Sequence, residues 1–121
     1  MMESILIIDD DLSLCKALSE ELNEIGFNST FVTDADSAFT ILNKNKNVDL
    51  ILLDLKMPGK DGFYVLNELK KNRLNIKVIV LTAYADVKSA IESARLGASD
   101  FISKPYDLDE LIITIRKVIQ S

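Results

Sequence analysis

A doubly wound α/β sandwich around a five-stranded parallel sheet is the fold this sequence predicts, on three observations. Short unbroken apolar runs at Ile5–Ile8, Leu50–Leu53 and Val78–Leu81 are rich in Leu and β-branched residues. They lack polar alternation, as strands covered on both faces do. Segments of helical apolar periodicity separate them. The 121 residues have room for one domain, 1–121, of about five strand–helix units.

The elements follow in order. Behind Ile5–Ile8, residues Cys15, Leu18, Leu22 and Ile25 recur at helical spacing, and Gly26 marks the stop. Thr30-Phe31-Val32 is short and flanked by polar residues, which predicts an edge strand. Ala35, Ala38, Phe39 and Leu42 mark a second helix, capped by Thr33 or Asp34. The polar stretch from Asn43 to Asn47 reads as a solvated loop. Past Leu50–Leu53 and a Met57-Pro58-Gly59 turn, Phe63, Leu66 and Leu69 mark a third helix starting near Asp61. Val87, Ala90, Ile91 and Ala94 give the stripe of a fourth, closed by Gly97. Phe101-Ile102 is a weak fifth strand. Leu108, Leu111, Ile112, Ile115, Val118 and Ile119 form the clearest amphipathic stripe, and Asp107 with Glu110 reads as its capping box.

Crossovers between parallel strands are right-handed. Two strand orders fit, the classical Rossmann order and the flavodoxin-like order 2-1-3-4-5; so short a chain favours the second. In both, ligands gather at the carboxyl ends of the strands.

Composition narrows the function. At 48% hydrophobic and 27% charged residues the chain is globular rather than disordered. No apolar run approaches the ~20 residues of a membrane span. A net charge of −5 opposes nucleic-acid binding. The single cysteine, Cys15, forbids an internal disulfide and fits the reducing cytoplasm. Met1-Met2-Glu3-Ser4 has no basic segment of the kind that opens a signal peptide. The chain lacks His and Trp, which removes histidine-based catalysis, haem ligation and most zinc sites.

What remains is at the carboxyl edge. The first strand ends in Asp9-Asp10-Asp11, the third in Asp54 and the fourth in Thr82, while Ser103, Lys104 and Pro105 follow the fifth. Asp11 is read as the cap of the helix that Leu12 opens. Asp54 has no such role, because its helix starts beyond the turn. Carboxylates crowded within ~4–6 Å raise one another's pKa unless a cation intervenes. Lys104 supplies one positive charge, and a divalent cation is the natural remainder. All-oxygen ligands favour Mg2+ or Mn2+. A surface lysine and an ordinary strand-end threonine are the plain readings of Lys104 and Thr82. Together with the acids they compose a site for a phosphoryl group, with a carboxylate as acceptor and cations and a hydroxyl on its oxygens.

These residues resemble the receiver domain of two-component response regulators over essentially the whole length. The resemblance is carried by Ile5-Leu6-Ile7-Ile8-Asp9-Asp10-Asp11 and by Asp49 to Gly59 with Asp61-Gly62. It continues through Val80-Leu81-Thr82-Ala83 and Gly97 to Pro105. It implies that Asp54 is the phosphoacceptor and that Asp9, Asp10, Asp54 and the Lys56 backbone carbonyl hold Mg2+, with Asp10 a direct ligand. Thr82 and Lys104 would grip the phosphoryl oxygens. The donor would be a phosphohistidine on a sensor histidine kinase or a histidine phosphotransfer protein. Thr82 and Phe101 would form the switch, read out on the face of the last two helices around Lys88, Glu92, Arg95 and Tyr106. Lys56 and Tyr84, two residues after Asp54 and Thr82, would set the lifetime of the phosphorylated form. The implied protein is a signalling domain whose only chemistry is its own phosphorylation and dephosphorylation.

Two other classes share features. Asp9 and Asp11 form a D-x-D like that of haloacid-dehalogenase-type phosphatases, but the later acids Asp107, Asp109 and Glu110 read as the start of the last helix. A pure interaction domain on the same fold would not need the intact set of acids, Thr82 and Lys104. A flavin site lacks its phosphate loop after the first strand. The output, a stand-alone or larger context, and a monomer or phosphorylation-dependent dimer stay open.

Overall fold

The computed structural model describes residues 2–44 and 47–121. Strands and helices alternate as β1 (Ser4–Ile8), α1 (Leu12–Ile25), β2 (Asn28–Val32), α2 (Ala35–Lys44), β3 (Leu50–Leu53), α3 (Gly62–Lys71), β4 (Lys77–Thr82), α4 (Val87–Arg95), β5 (Asp100–Ser103) and α5 (Leu108–Gln120). All strand pairs are parallel, and the sheet order is β2-β1-β3-β4-β5, the flavodoxin-like one. β2 is an edge strand, as its polar flanks predict.

Continuous apolar strands are explained by the two cores. Leu6 and Ile8 of β1 point to one face, with Ile51, Leu53, Val78 and Val80, where α2 and α3 cover them. Ile5 and Ile7 point to the other, with Leu50, Leu52, Ile79 and Leu81, under α1 and α5. Alternation therefore carries Ile5–Ile8 of β1, all of β3 and Val78–Leu81 of β4 into one core or the other.

The helix caps are uniform. The carboxylates of Asp11, Asp61, Asp86 and Asp107 accept from the amides of Leu14, Tyr64, Ser89 and Glu110. Asp34 does the same for Ser37 at 2.7 Å, which decides between it and Thr33. At the far end of α1, Gly26 takes φ 119°, the left-handed cap only glycine adopts without strain.

The structure corrects the sequence reading in three places. Asn43 and Lys44 belong to α2, extended by its helical spacing, while Asn45 and Lys46 of the expected loop lie outside the described residues. In α1, Ile25 is on the exposed side and Ser19 is buried. Ser19 bonds the Ser29 hydroxyl at 2.9 Å, so a polar pair replaces an apolar contact between α1 and β2. In α4, Val87 and Ile91 face outward, and the helix's buried residue is Ser93. Spacing shows which residues share a face, not which face turns inward. The Ser93 hydroxyl donates to the Ser89 carbonyl at 2.5 Å, and so packs inward like a small apolar group.

Candidate functional site

Each strand hands its next residue to the carboxyl edge. The Asp9 amide donates to the Val32 carbonyl at 3.2 Å, the Asp54 amide to Ile8 at 2.9 Å and the Lys104 amide to Thr82 at 2.9 Å. These bonds continue the sheet pattern one step beyond β1, β3 and β5, and they fix where the three side chains start.

The side chains converge on a cavity of about 440 Å³ lined by Asp9, Asp10, Asp54, Lys56, Tyr84 and Lys104, among others. The Lys104 ammonium donates to Asp9 Oδ2 at 2.7 Å and lies 3.6 Å from Asp54 Oδ2. Asp9 Oδ1 accepts from the Asp11 amide at 2.9 Å. Both Asp9 oxygens are therefore engaged. Asp54 is held more loosely, by the Lys56 amide at 3.5 Å. Asp9 and Asp54 are buried; Asp10 is exposed at the rim. Asp11 lines the same cavity while it caps α1.

Electrostatics in this cleft are set by burial. Burial pushes the Asp9 carboxyl up, and the Lys104 hydrogen bond only partly opposes it. For Lys104, burial works against the charge, but the Asp9 bond and the charges of Asp9, Asp54 and Asp11 outweigh it and raise the ammonium pKa. Both shifts favour retained protons, at Asp9 through burial and at Lys104 through the carboxylates around it. Beneath it, the Cys15 thiol donates to the Asp9 carbonyl at 3.3 Å and is pushed up to about 11, chiefly by burial. It stays a neutral thiol.

The donor set suits a hard cation. Asp9, Asp10 and Asp54 each present a carboxylate oxygen within 4.8 Å of the others. Oxygen ligands without imidazole or thiolate match Mg2+ or Mn2+.

Thr82 and Phe101 lie apart from this cavity. Thr82 is fully buried behind it, and its Oγ1 accepts from the Tyr84 amide at 3.2 Å. Phe101 is half-buried beside Val80, on the sheet face that α4 covers. A separate cavity of about 210 Å³ there is lined by Ala90, Ser93, Ala94, Ala98 and Phe101.

Two features escaped the sequence reading. The Lys56 ammonium sits 4.6 Å from the centre of the Tyr84 ring, a cation–π contact across the mouth. Gly62 packs on the backbone of Asp54: a Cβ there would fall 2.4 Å from the Asp54 carbonyl oxygen. The Asp61-Gly62 pair was visible, but nothing in one sequence reports backbone approach. Farther out, the Tyr106 hydroxyl donates to Glu21 on α1 at 2.6 Å.

Comparison with known proteins agrees with this geometry. The family described as "Response regulator receiver domain" matches residues 5–116. Sporulation initiation phosphotransferase F of Bacillus subtilis (strain 168) is 37% identical over 98% of this chain and 95% of its own length. A probable transcriptional regulator, ycf27 of Porphyridium aerugineum, is 39% identical over 98% of this chain but only 48% of its own. The receiver domain of the Francisella response regulator 1452 superposes with a TM-score of 0.91 at 32% identity, covering 98% of this chain and 97% of that one.

Proposed function

This chain belongs to the family of response regulator receiver domains, and from that premise we propose that it is a phosphoacceptor, taking a phosphoryl group from a phosphohistidine onto Asp54. The observation that carries the reading is Lys104, held 2.7 Å from Asp9 and 3.6 Å from Asp54, beside three clustered carboxylates.

An Asp54 oxygen attacks phosphorus. The new P–O bond forms as the P–N bond breaks, and the imidazole leaves with the electron pair and takes up a proton. Asp54 suits the attack better than Asp9, whose two oxygens already accept hydrogen bonds. Lys104 meets the phosphoryl oxygens, while the Asp9 contact keeps its ammonium directed at the cleft. Thr82, buried behind the cleft in this structure, turns toward it to offer its hydroxyl to another oxygen. Asp9, Asp10, Asp54 and the Lys56 carbonyl are the proposed ligands of Mg2+, which when bound neutralises charge on the transferring group. Hydrolysis of the acyl phosphate returns Asp54.

Residues 1–121 act in this reading as one receiver domain. Its donor is a histidine kinase or phosphotransfer protein, its readout an output domain or protein, and its place the cytoplasm. No described helix is long and apolar enough to cross a membrane. Relatives such as the ycf27 regulator carry further sequence beyond the matched part.

The test is labelling by a small-molecule phosphodonor, followed by intact mass. The expected result is the added mass of one phosphoryl group with Mg2+ and none with excess EDTA. Equal labelling in EDTA refutes the metal assignment.

Lifetime is assigned to Lys56 and Tyr84. Their contact lies at the mouth of the cleft, where it is assigned control of water access to the acyl phosphate. Lys56→Ala and Tyr84→Ala are each expected to change the dephosphorylation rate by about threefold or more, a cation–π contact being about 1 kcal/mol. Decay curves matching the parent in both variants would remove this role.

The switch is assigned to Thr82 and Phe101. By alternation both project from the same sheet face, and Phe101 borders a cavity into which its ring can move. Burial of the ring alone, without a hydroxyl, reports phosphorylation to α4, β5 and α5. Phe101→Ala is expected to keep labelling yet lose the amide chemical-shift changes in α4. Unaltered shift changes in that variant would refute the coupling.

A further inference from the structure

The loop after β5 has to hold Lys104 in a cleft whose acids come from β1 and β3. Its first fixed point is the Lys104 amide on the Thr82 carbonyl, 2.9 Å away. The next residue, Pro105, has no N–H and is exposed. The next anchor is Tyr106. Its half-buried ring packs against the core under α1 and α5, and its hydroxyl donates to Glu21 Oε1 at 2.6 Å. Asp107 then caps α5.

Glu21 belongs to α1, and α1 is continuous with the Asp9–Asp11 segment through its Asp11 cap. The Tyr106–Glu21 bond therefore ties the loop carrying the lysine to the helix that follows the acids. The two residues are 85 apart in sequence, and the bond is charge-assisted. A contact serving only to hold α5 would more naturally be apolar, as those of Leu111, Ile115 and Val118 are.

We infer that Tyr106 and Glu21 are positioning residues for phosphoryl transfer: their hydrogen bond sets where the Lys104 ammonium sits relative to Asp9 and Asp54. The inference rests on the phosphoacceptor reading.

The test compares phosphorylation rates of the whole chain with a small-molecule phosphodonor, as a function of donor concentration. Tyr106→Phe keeps the ring and removes only the hydroxyl. It is expected to lower the maximal rate about three- to tenfold, as for a hydrogen bond to a charged group, with half-saturation unchanged. Glu21→Ala is expected to match it, and Glu21→Gln, which retains an acceptor, to recover most of the rate. The Glu21→Ala/Tyr106→Phe double variant is expected to be no slower than the slower single. A Tyr106→Phe variant that labels at the parent rate, or a double variant whose loss is the product of the two, overturns the inference. A parent chain that takes no label overturns the phosphoacceptor reading itself, which separates the two failures.

Discussion

Asp54→Asn gives a folded chain that takes no label from donor or kinase. The substitution conserves size and removes the nucleophilic oxygen and its charge, so the acceptor chemistry is lost outright rather than slowed. Labelling is expected to drop by more than about a hundredfold, to the background of other carboxylates. The fold does not depend on the charge. The backbone bond from Asp54 to Ile8 remains, and an Asn oxygen still accepts from the Lys56 amide. Removing one of three crowded carboxylates relieves repulsion that Lys104 offsets in part. Thermal denaturation is therefore expected to show no loss of melting temperature. If Asp54→Asn labels at the parent rate, the acceptor lies elsewhere and the reading fails.

Gly62→Ala is the largest stability effect expected outside the deep core, and its sign runs against helix propensity. In an open helical position the change stabilises by up to about 1 kcal/mol. Here the new Cβ meets the Asp54 carbonyl oxygen at 2.4 Å and the Leu55 Cα at 2.7 Å. Both are backbone atoms and cannot rotate away, so α3 or the end of β3 has to shift. Overpacking of this kind costs about 2–3 kcal/mol, or roughly 10 °C in melting temperature for a chain this size. The shift also moves the peptide that aims Asp54, so labelling falls with stability. A melting temperature equal to or above the parent's would show that the Gly62 amide bond to Leu55, 2.9 Å long, survives the added methyl.

Much of this architecture was legible because its causes are local or periodic. Runs such as Leu50–Leu53 have one good solution, a strand buried on both faces, and aspartates placed before helical periodicity became caps. The acids, Thr82 and Lys104 were legible because strand ends in a parallel sheet share an edge. The parts missed depend on long-range packing. The outward turn of Val87 and Ile91 follows from how α4 seats on β5, which periodicity does not encode. The polar tie of Ser19, Ser29 and Asn23 looks in sequence like three surface residues. The Lys56–Tyr84 contact and the Tyr106–Glu21 bond join positions 28 and 85 residues apart, with no motif to announce them.

The five aspartate caps have a consequence for behaviour in acid. A cap works as a carboxylate, and hydrogen bonds from the Ser37 and Ser89 amides hold Asp34 and Asp86 below the ordinary carboxylate range. The stability they add is complete above the unfolded value and is lost as pH falls through the lower folded one. Protonation of these two caps therefore frays the first turns of α2 and α4. Acidification therefore loosens the starts of α2 and α4, at the sheet edge that bears Asp54, while the apolar strands behind them still hold.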